Sequence, residues 1–338
     1  MHQCDAAEVA IVVIGRNEGE RLGLCLNSAV KVSSKVVYSD SGSSDGSQDL
    51  ARSLGVAVVE VPGSAPMNAA RGRNVGLAYV RAHFPDARFV QFLDGDCVLE
   101  RDWVRCGLEF LVSHPKAAIA CGRRFEAHAD ASLYNRLADE EWCTPIGMAD
   151  ACGGDSLVRL AAIDEVGPFN PRLMASEEPE LAARLRNAGW QIWRLDAAMC
   201  EHDARILTFA QWWRRTTRSG YGYAQAWAAT RNIPEQVNVK LLRSSIAWVL
   251  VLPAVTAILA VSSRSLMTLL LLPLLYSAQI LRMAARRPDR TGFGLKASAM
   301  LMLAKVPELI GAARFVVLRR RSSMIEYKGL VPRGPGND

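Results

Sequence analysis

The sequence predicts an α/β fold with a mostly parallel central sheet, followed by membrane-associated helices, and three observations predict it. Short apolar runs rich in β-branched residues end in polar, small-residue loops and lead into helical stretches, the alternation that builds a parallel sheet. One such run, residues 89–93, stops at Asp94-Gly95-Asp96. After about residue 240 the composition turns abruptly apolar.

Residues 9–14 form a continuous apolar strand bounded by Gly15-Arg16-Asn17-Glu18, with an amphipathic helix to about residue 30. A second strand, 36–39, runs into Asp40-Ser41-Gly42-Ser43-Ser44-Asp45-Gly46-Ser47 and another helix. In open α/β sheets ligands gather at the carboxyl ends of the strands, and Asp40 stands at such an end. Arg71, Arg73 and Asn74 lie at the head of a small-residue helix reaching about residue 83. Guanidinium groups there either attract a diphosphate or are solvated on the surface, and Arg73 is the stronger candidate. The two carboxylates of Asp94-Gly95-Asp96 can share a hard divalent cation, Mg2+ or Mn2+, with diphosphate oxygens. The same residue types also make plain turns.

Five segments occur in the order seen in family 2 glycosyltransferases: Arg16-Asn17-Glu18, the loop from Asp40 to Gly46, Arg73-Asn74-Val75-Gly76, Asp94-Gly95-Asp96 and Glu177-Glu178-Pro179-Glu180-Leu181. The chain resembles that family over roughly residues 8–225, and ordered motifs are far more specific than any single one. The resemblance implies a GT-A fold, a nucleoside-diphosphate-sugar donor, a divalent metal and inversion at the anomeric carbon. It places Asn17 and Glu18 on the donor side, Asp40 against the nucleobase, Asp94 against the ribose, Arg73 near the diphosphate and Asp96 on the metal. Asp40 can alternatively cap its own loop, since Asp side chains bond nearby amides.

Inversion by direct displacement needs a carboxylate that takes the acceptor's proton. Residues 176–185 are similar to the family's base motif, with Glu178 where the second acid is usually Asp. The extra methylene leaves Glu177 as the competing base. Ser176 and Pro179 also suit a helix start, with the acids favoured near the positive end of the helix dipole. Gly153-Gly154-Asp155-Ser156 resembles the family's glycine-bearing acceptor-side loop, which marks Gly154 and Asp155. His202 and Asp203 follow a short strand over 191–195, where the family often supplies a further metal ligand. His202 either completes that site or is an ordinary polar residue.

Residues 209–215, Phe-Ala-Gln-Trp-Trp-Arg-Arg, partly resemble the QxxRW element of processive polysaccharide synthases. Arg215 stands where Trp is expected, which argues against processivity. Trp212 and Arg214 are candidate acceptor contacts, with structural anchoring the default for Trp212 and Trp213.

The 338 residues hold one α/β domain plus an appendage. Eight cysteines, at positions 4, 25, 97, 106, 121, 143, 152 and 200, show neither CxxC pairing nor zinc spacing, as expected in a reducing compartment. No basic region and apolar core precede the first strand, so no signal peptide is expected. Residues 246–261 and 266–281 are apolar runs joined by Ser262-Ser263-Arg264-Ser265, each somewhat short for a spanning helix but plausible as a membrane hairpin. Lys240 and Arg243 before it, and Arg282, Arg286, Arg287 and Arg290 after it, put both flanks on the cytoplasmic side by the positive-inside rule. Residues 295–318, interrupted by Lys296, Lys305, Pro307, Glu308 and Arg314, read as a helix lying in the headgroup plane. From Arg282 onward twelve basic and four acidic residues give +8, against +6 for the whole chain, so the basicity is membrane-side and argues against nucleic acid as partner. Leu330-Val331-Pro332-Arg333-Gly334 resembles a protease recognition sequence used in expression vectors.

The expected organisation is therefore a GT-A catalytic domain over 1–235, a transmembrane hairpin over 236–290, an amphipathic interfacial helix and basic tail over 291–328, and a flexible tail over 329–338. The expected activity is metal-dependent, inverting sugar transfer from a nucleoside-diphosphate-sugar to a lipid-linked, polyprenyl-type saccharide at the cytoplasmic face of the membrane. Transfer directly to polyprenyl phosphate, with no need of a base, is the enzymatic alternative. A non-catalytic membrane scaffold of the same shape is the alternative of another class. Oligomeric state, sugar and nucleotide are not encoded in any motif.

Overall fold

The computed structural model describes residues 8–63, 67–287 and 292–319. The chain begins with strand β1 (Val9–Gly15), helix α1 (Glu20–Val30), β2 (Val36–Asp40), α2 (Ser47–Ser53), β3 (Ala57–Glu60), α3 (Ala69–His83) and β4 (Phe89–Asp94). The strands β3, β2, β1 and β4 lie side by side and parallel. A parallel sheet is covered on both faces, so its strands are apolar without alternation. That is why residues 9–13 are all wholly buried, the Val and Ile side chains among them each contributing on the order of 1.5–3 kcal/mol.

The sheet continues through β8 (Ser156–Arg159), antiparallel to β4, then β6 (Ala117–Glu126) and β9 (Gln191–His202), which run parallel to each other. Beyond them, β5 (Cys97–Leu99) and the short β7 (Gly147–Met148) pair antiparallel with β9. The last sequence strand was expected over 191–195; β9 instead runs seven residues further, because pairing with β6 and β5 extends it to His202. Helices α4 (Trp103–Ser113), α5 (Leu133–Trp142), α6 (Leu160–Val166) and α7 (Glu177–Asn187) complete the domain.

Helix α8 (Phe209–Thr230) leads away from the sheet. Its start is a capping box, with Thr208 Oγ1 accepting from Gln211 N and Gln211 Oε1 accepting from Thr208 N. A continuous helix then spans Val239–Ser262 (α9, Val239–Ile246, and α10, Leu252–Ser262) and a second Leu266–Ala285 (ending in α11, Leu271–Ala285); both are long and apolar enough to cross a membrane. The first contains a π-helical stretch at Ala247–Val251, and no residue of the second helix's apolar window is buried. Tyr276 Oη donates to the Trp248 carbonyl across the hairpin.

The amphipathic segment expected as one helix forms two, α12 (Gly292–Leu303) and α13 (Lys305–Arg319). Helix α13 packs along α8 at a very close crossing. A Cβ on Gly220 would lie 2.0 Å from the Glu308 carbonyl oxygen, and one on Gly311 would lie 2.0 Å from the Thr217 carbonyl oxygen. Only glycine allows these backbones to approach so closely. The interruptions Lys305 and Glu308 are part of this packing: Glu308 accepts from Ser245 Oγ at 2.6 Å and pairs with Lys305 Nζ at 2.8 Å. The expected flexible tail, 329–338, lies outside the described residues.

Candidate active site

The carboxyl ends of β1, β2 and β4 open into a cavity of about 970 Å3, closed on the far side by α5 and α8. Asp94 and Asp96 stand on its floor. Gly95 N donates to the Ile14 carbonyl at 2.7 Å, which pins the turn to the end of β1. Asp96 and His202 meet because β5 and β9 pair with Cys97 opposite His202; Asp203 N also donates to the Asp96 carbonyl at 3.1 Å. His202 Nε2 faces Asp96 Oδ1 at 3.5 Å, and its Nδ1 faces Glu126 Oε2 at 3.8 Å. Burial opposes the imidazolium, but Glu126 and Asp96 outweigh it and raise the His202 pKa.

Potential ligand atoms of Asp96, Cys97 and His202 lie within 4.8 Å of one another. A carboxylate and an imidazole beside an open, anion-sized cavity fit a hard divalent cation completed by phosphate oxygens. Cys97 does not join them: its thiol is buried, donates to Asp155 Oδ2 at 3.4 Å and has its pKa pushed up by burial. It is a packing residue.

Arg73 lies beneath the floor, 1 % exposed. Its Nη1 is 2.7 Å from Glu177 Oε1 and 3.3 Å from Glu178 Oε1, and its Nη2 is 3.0 Å from Asp94 Oδ1. One guanidinium thus holds three acids, where the sequence placed it against the diphosphate; enclosed by its own carboxylates, it does not line the cavity. Gly154 makes this possible, since a Cβ there would sit 2.0 Å from Arg73 Nη2.

The two candidate bases separate clearly. Glu177 is 4 % exposed and committed to Arg73, whereas the Glu178 side chain keeps 22 % exposure and lines the cavity. Desolvation, then the neighbouring Glu177 charge, lift the Glu178 pKa to about 7 against the opposing pull of Arg73. Ser176 does not cap α7 with its side chain. It adopts a left-handed conformation, φ 63°, that turns the chain into the helix, a strained state that clusters at functional sites.

On the β1 and β2 side, Asn17 (φ 55°) and Glu18 line the cavity. Asn17 Oδ1 accepts from Ser44 N at 2.8 Å, locking the two loops together. Asp40 is wholly buried and does not line the cavity. It accepts from Tyr38 Oη, Gly42 N, Ser43 N and Gln48 Nε2 at 2.8–3.0 Å. Burial alone would raise its pKa, but these bonds, those of Ser43 foremost, hold it below the usual carboxylate range. Its carboxylate is engaged as the cap of its loop.

Of the acceptor-side candidates, Gly154 and Arg214 line the cavity, while Asp155 and Trp212 do not. Asp155 is wholly buried and braces the floor, accepting from Asp94 N at 2.8 Å and pairing with Arg124 Nε at 3.1 Å. Trp212 is buried beside Ile206, Ala138 and Ala304. The helix face decides: Gln211, Arg214, Arg215 and Arg218 follow the i, i+3, i+4, i+7 spacing of one face and turn Trp212 away.

Sequence reasoning missed Arg124, Glu126 and Trp142. Arg124 stacks over the Trp142 ring at 5.0 Å, and Trp142 meets His202 edge-on at 4.7 Å. Only the parallel pairing of β6 with β9, which sets Glu126 opposite His202, brings them in.

Comparisons with known proteins agree with this architecture. The family described as glycosyl transferase family 2 matches residues 10–157, and glycosyl transferase family group 2 matches residues 89–281. Among solved structures, the mannosyltransferase PcManGT of Pyrobaculum calidifontis, in complex with GDP-Man and Mn2+, aligns with TM-score 0.61 and 17 % identity over 90 % of this chain and 87 % of its own. Glucosyl-3-phosphoglycerate synthase of Mycobacterium tuberculosis, with Mn2+ and UDP, aligns with TM-score 0.46 and 16 % identity over 67 % of this chain and 82 % of its own. No curated protein sequence matches the chain. With the GT-A-like sheet, the acids at its strand ends and a family match over more than half its length, the chain belongs to the family 2 glycosyltransferases.

Proposed function

We propose that this glycosyltransferase moves a sugar from a nucleoside-diphosphate-sugar to a lipid-linked saccharide, inverting the anomeric carbon, at the cytoplasmic face of a membrane. The observation that carries the reading is the pairing, in one cavity, of a cation-suited Asp96–His202 site with the cavity-facing carboxylate of Glu178. The similarity to the mannosyltransferase structure holding GDP-Man and Mn2+ supports a donor and a metal of that class.

Asp96 and His202 would hold the cation, Mg2+ or Mn2+, which supplies charge compensation for the departing diphosphate. Glu126 orients His202 from behind. Asn17 and Glu18 shape the donor end, and Asp40 keeps the β2 loop in register for the nucleoside. Glu178 removes the acceptor hydroxyl proton; its raised pKa suits a base that must accept a proton near neutral pH. Arg73 and Glu177 act as positioning residues, holding Glu178 at the cavity rim. The two apolar helices, with basic residues at both flanks, tether the cavity to the bilayer and raise its effective concentration near lipid-borne acceptors.

The test is a donor screen on membranes containing the full chain, following labelled sugar into the lipid fraction with Mg2+, Mn2+ or EDTA. Label abolished by EDTA, by Asp96→Ala and by Glu178→Ala, with an inverted anomeric centre in the product, supports the reading. Transfer to polyprenyl phosphate that survives Glu178→Ala overturns the base assignment in favour of a phosphate nucleophile. A folded protein that neither transfers nor hydrolyses any donor overturns the catalytic reading.

A further inference from the structure

The α8 wall of the cavity carries more positive charge than donor chemistry requires. Arg214, Arg215 and Arg218 project from one face of the helix into the cavity, opposite the strand ends that carry Asp94 and Asp96. Like charges at i, i+3 and i, i+4 cost helix stability, and Arg214 and Arg218 remain exposed. Arg215 is held by Glu141 of α5 at 2.9 Å. The residue before it, Glu140, contacts Arg287, two residues beyond the second membrane-length helix. Adjacent carboxylates on α5 therefore tie the basic wall of the cavity to the end of the hairpin, where a lipid headgroup would lie.

We infer that Arg214, Arg215 and Arg218 form an acceptor-side anion site that grips the phosphate or diphosphate ester joining the acceptor sugar to its lipid. This rests on the proposed lipid-linked acceptor and names the group by which it is recognised. Guanidinium forks match phosphate oxygens two at a time, and a cavity wall focuses their field. Arg215, fixed by Glu141, sets the position of the site, and the exposed Arg214 and Arg218 close on the ester. The lipid chain then leaves along the hairpin while the sugar end reaches Glu178. The same chemistry would also take up free pyrophosphate, so the experiment separates the two sources.

Binding is measured on the detergent-solubilised full chain in EDTA by isothermal titration calorimetry, with farnesyl diphosphate, inorganic pyrophosphate and farnesol as probes. Farnesyl diphosphate is expected to bind at least tenfold more tightly than pyrophosphate, and farnesol not detectably. Arg214→Gln with Arg218→Gln is expected to weaken farnesyl diphosphate about tenfold or more, with the circular dichroism spectrum and Mn2+-dependent nucleotide binding unchanged. Asp96→Ala should show the reverse pattern. Unchanged farnesyl diphosphate affinity in the double variant overturns the site, and equal affinity for pyrophosphate overturns its assignment to a lipid ester. Failure of sugar transfer with diphosphate binding still dependent on these arginines would overturn the glycosyltransfer reading and leave the anion site standing.

Discussion

The two walls of the cavity are held by different means. On the β1 and β2 side, side chains cap backbone groups: Asp40 accepts from the amides of Gly42 and Ser43, Asn17 from Ser44, and Asp45 from Gly19. On the α5 and α8 side, side chains hold side chains, through Arg215–Glu141 and Arg287–Glu140, and α8 is set in place by backbone contact with α13. A loop capped by its own residues has one shape and suits a donor that is always the same kind of molecule. A wall of paired, partly exposed charges on helices suits the larger, membrane-delivered acceptor proposed above.

The largest effect should come where the walls meet. Glu178→Gln is expected to lower kcat by roughly 10²–10⁴-fold with donor affinity retained. In the unsubstituted enzyme kcat/KM should rise tenfold per pH unit up to about pH 7, because Glu178 in the proposed role of base works only when deprotonated and its pKa is lifted to about 7. A limb that remains near pH 7 in Glu178→Gln would assign the titration elsewhere. Gly154→Ala comes next. Its Cβ would displace the Arg73 guanidinium beneath both walls, costing on the order of 1–3 kcal/mol of stability and roughly 10²-fold in kcat/KM through misplaced Glu178, measurable by thermal denaturation and steady-state kinetics.

Gly311→Ala should affect the helical side alone. Forcing α13 off α8 is expected to cost about 1–3 kcal/mol in detergent, seen as a lowered Tm, while nucleotide affinity stays within about twofold because the crossing uses Thr217, Gly220 and Tyr221 of α8, a different stripe from the Arg214, Arg215 and Arg218 that line the cavity. Equal loss of both would show that the walls are not independent. The smallest effect is expected from Ser176→Gly, which relieves a left-handed residue and should raise stability by a few tenths to about 1 kcal/mol. Any accompanying fall in kcat would mean that the strained turn is needed to aim Glu178.

This contrast also explains what could be read from the chain. Asp94, Asp96 and the Gly153-Gly154 loop could be placed at strand ends because such loops demand particular residues at fixed offsets, and the parallel strands announced themselves as unbroken apolar runs; residue type alone could not tell whether the Asp40 carboxylate faces a ligand or caps its own loop. Glu178 was legible as an acid at a helix start, but its separation from Glu177 depends on which carboxylate Arg73 occupies, and that needs three elements in place. Arg124 and Glu126 sit in an unremarkable stretch of β6 and gain meaning only from register with a strand some 75 residues later. Trp212 and Arg214 stand together as candidates in the sequence, with anchoring the default for Trp212; that Arg214 shares the cavity face with Arg215 and Arg218 while Trp212 turns away could not be read, since nothing in a helical pattern says which side is empty. The break between α12 and α13 was missed because charged interruptions in an apolar run look alike whether they meet lipid headgroups or a buried partner such as Ser245.

The glycine crossing of α8 and α13 has a consequence for the order of events during synthesis. Residues 220 and 308 touch, so the packing of α8 cannot be completed when it leaves the ribosome. Its glycine face stays bare while both apolar helices are made, and is covered only after α13 emerges. A chain cut before the hairpin would keep every acid of the active site and lack that cover. Cutting the chain before the hairpin to obtain a smaller protein, and so losing α13, should therefore yield an aggregating one. Shortening the hairpin while keeping α13 is the better route to a soluble catalytic unit.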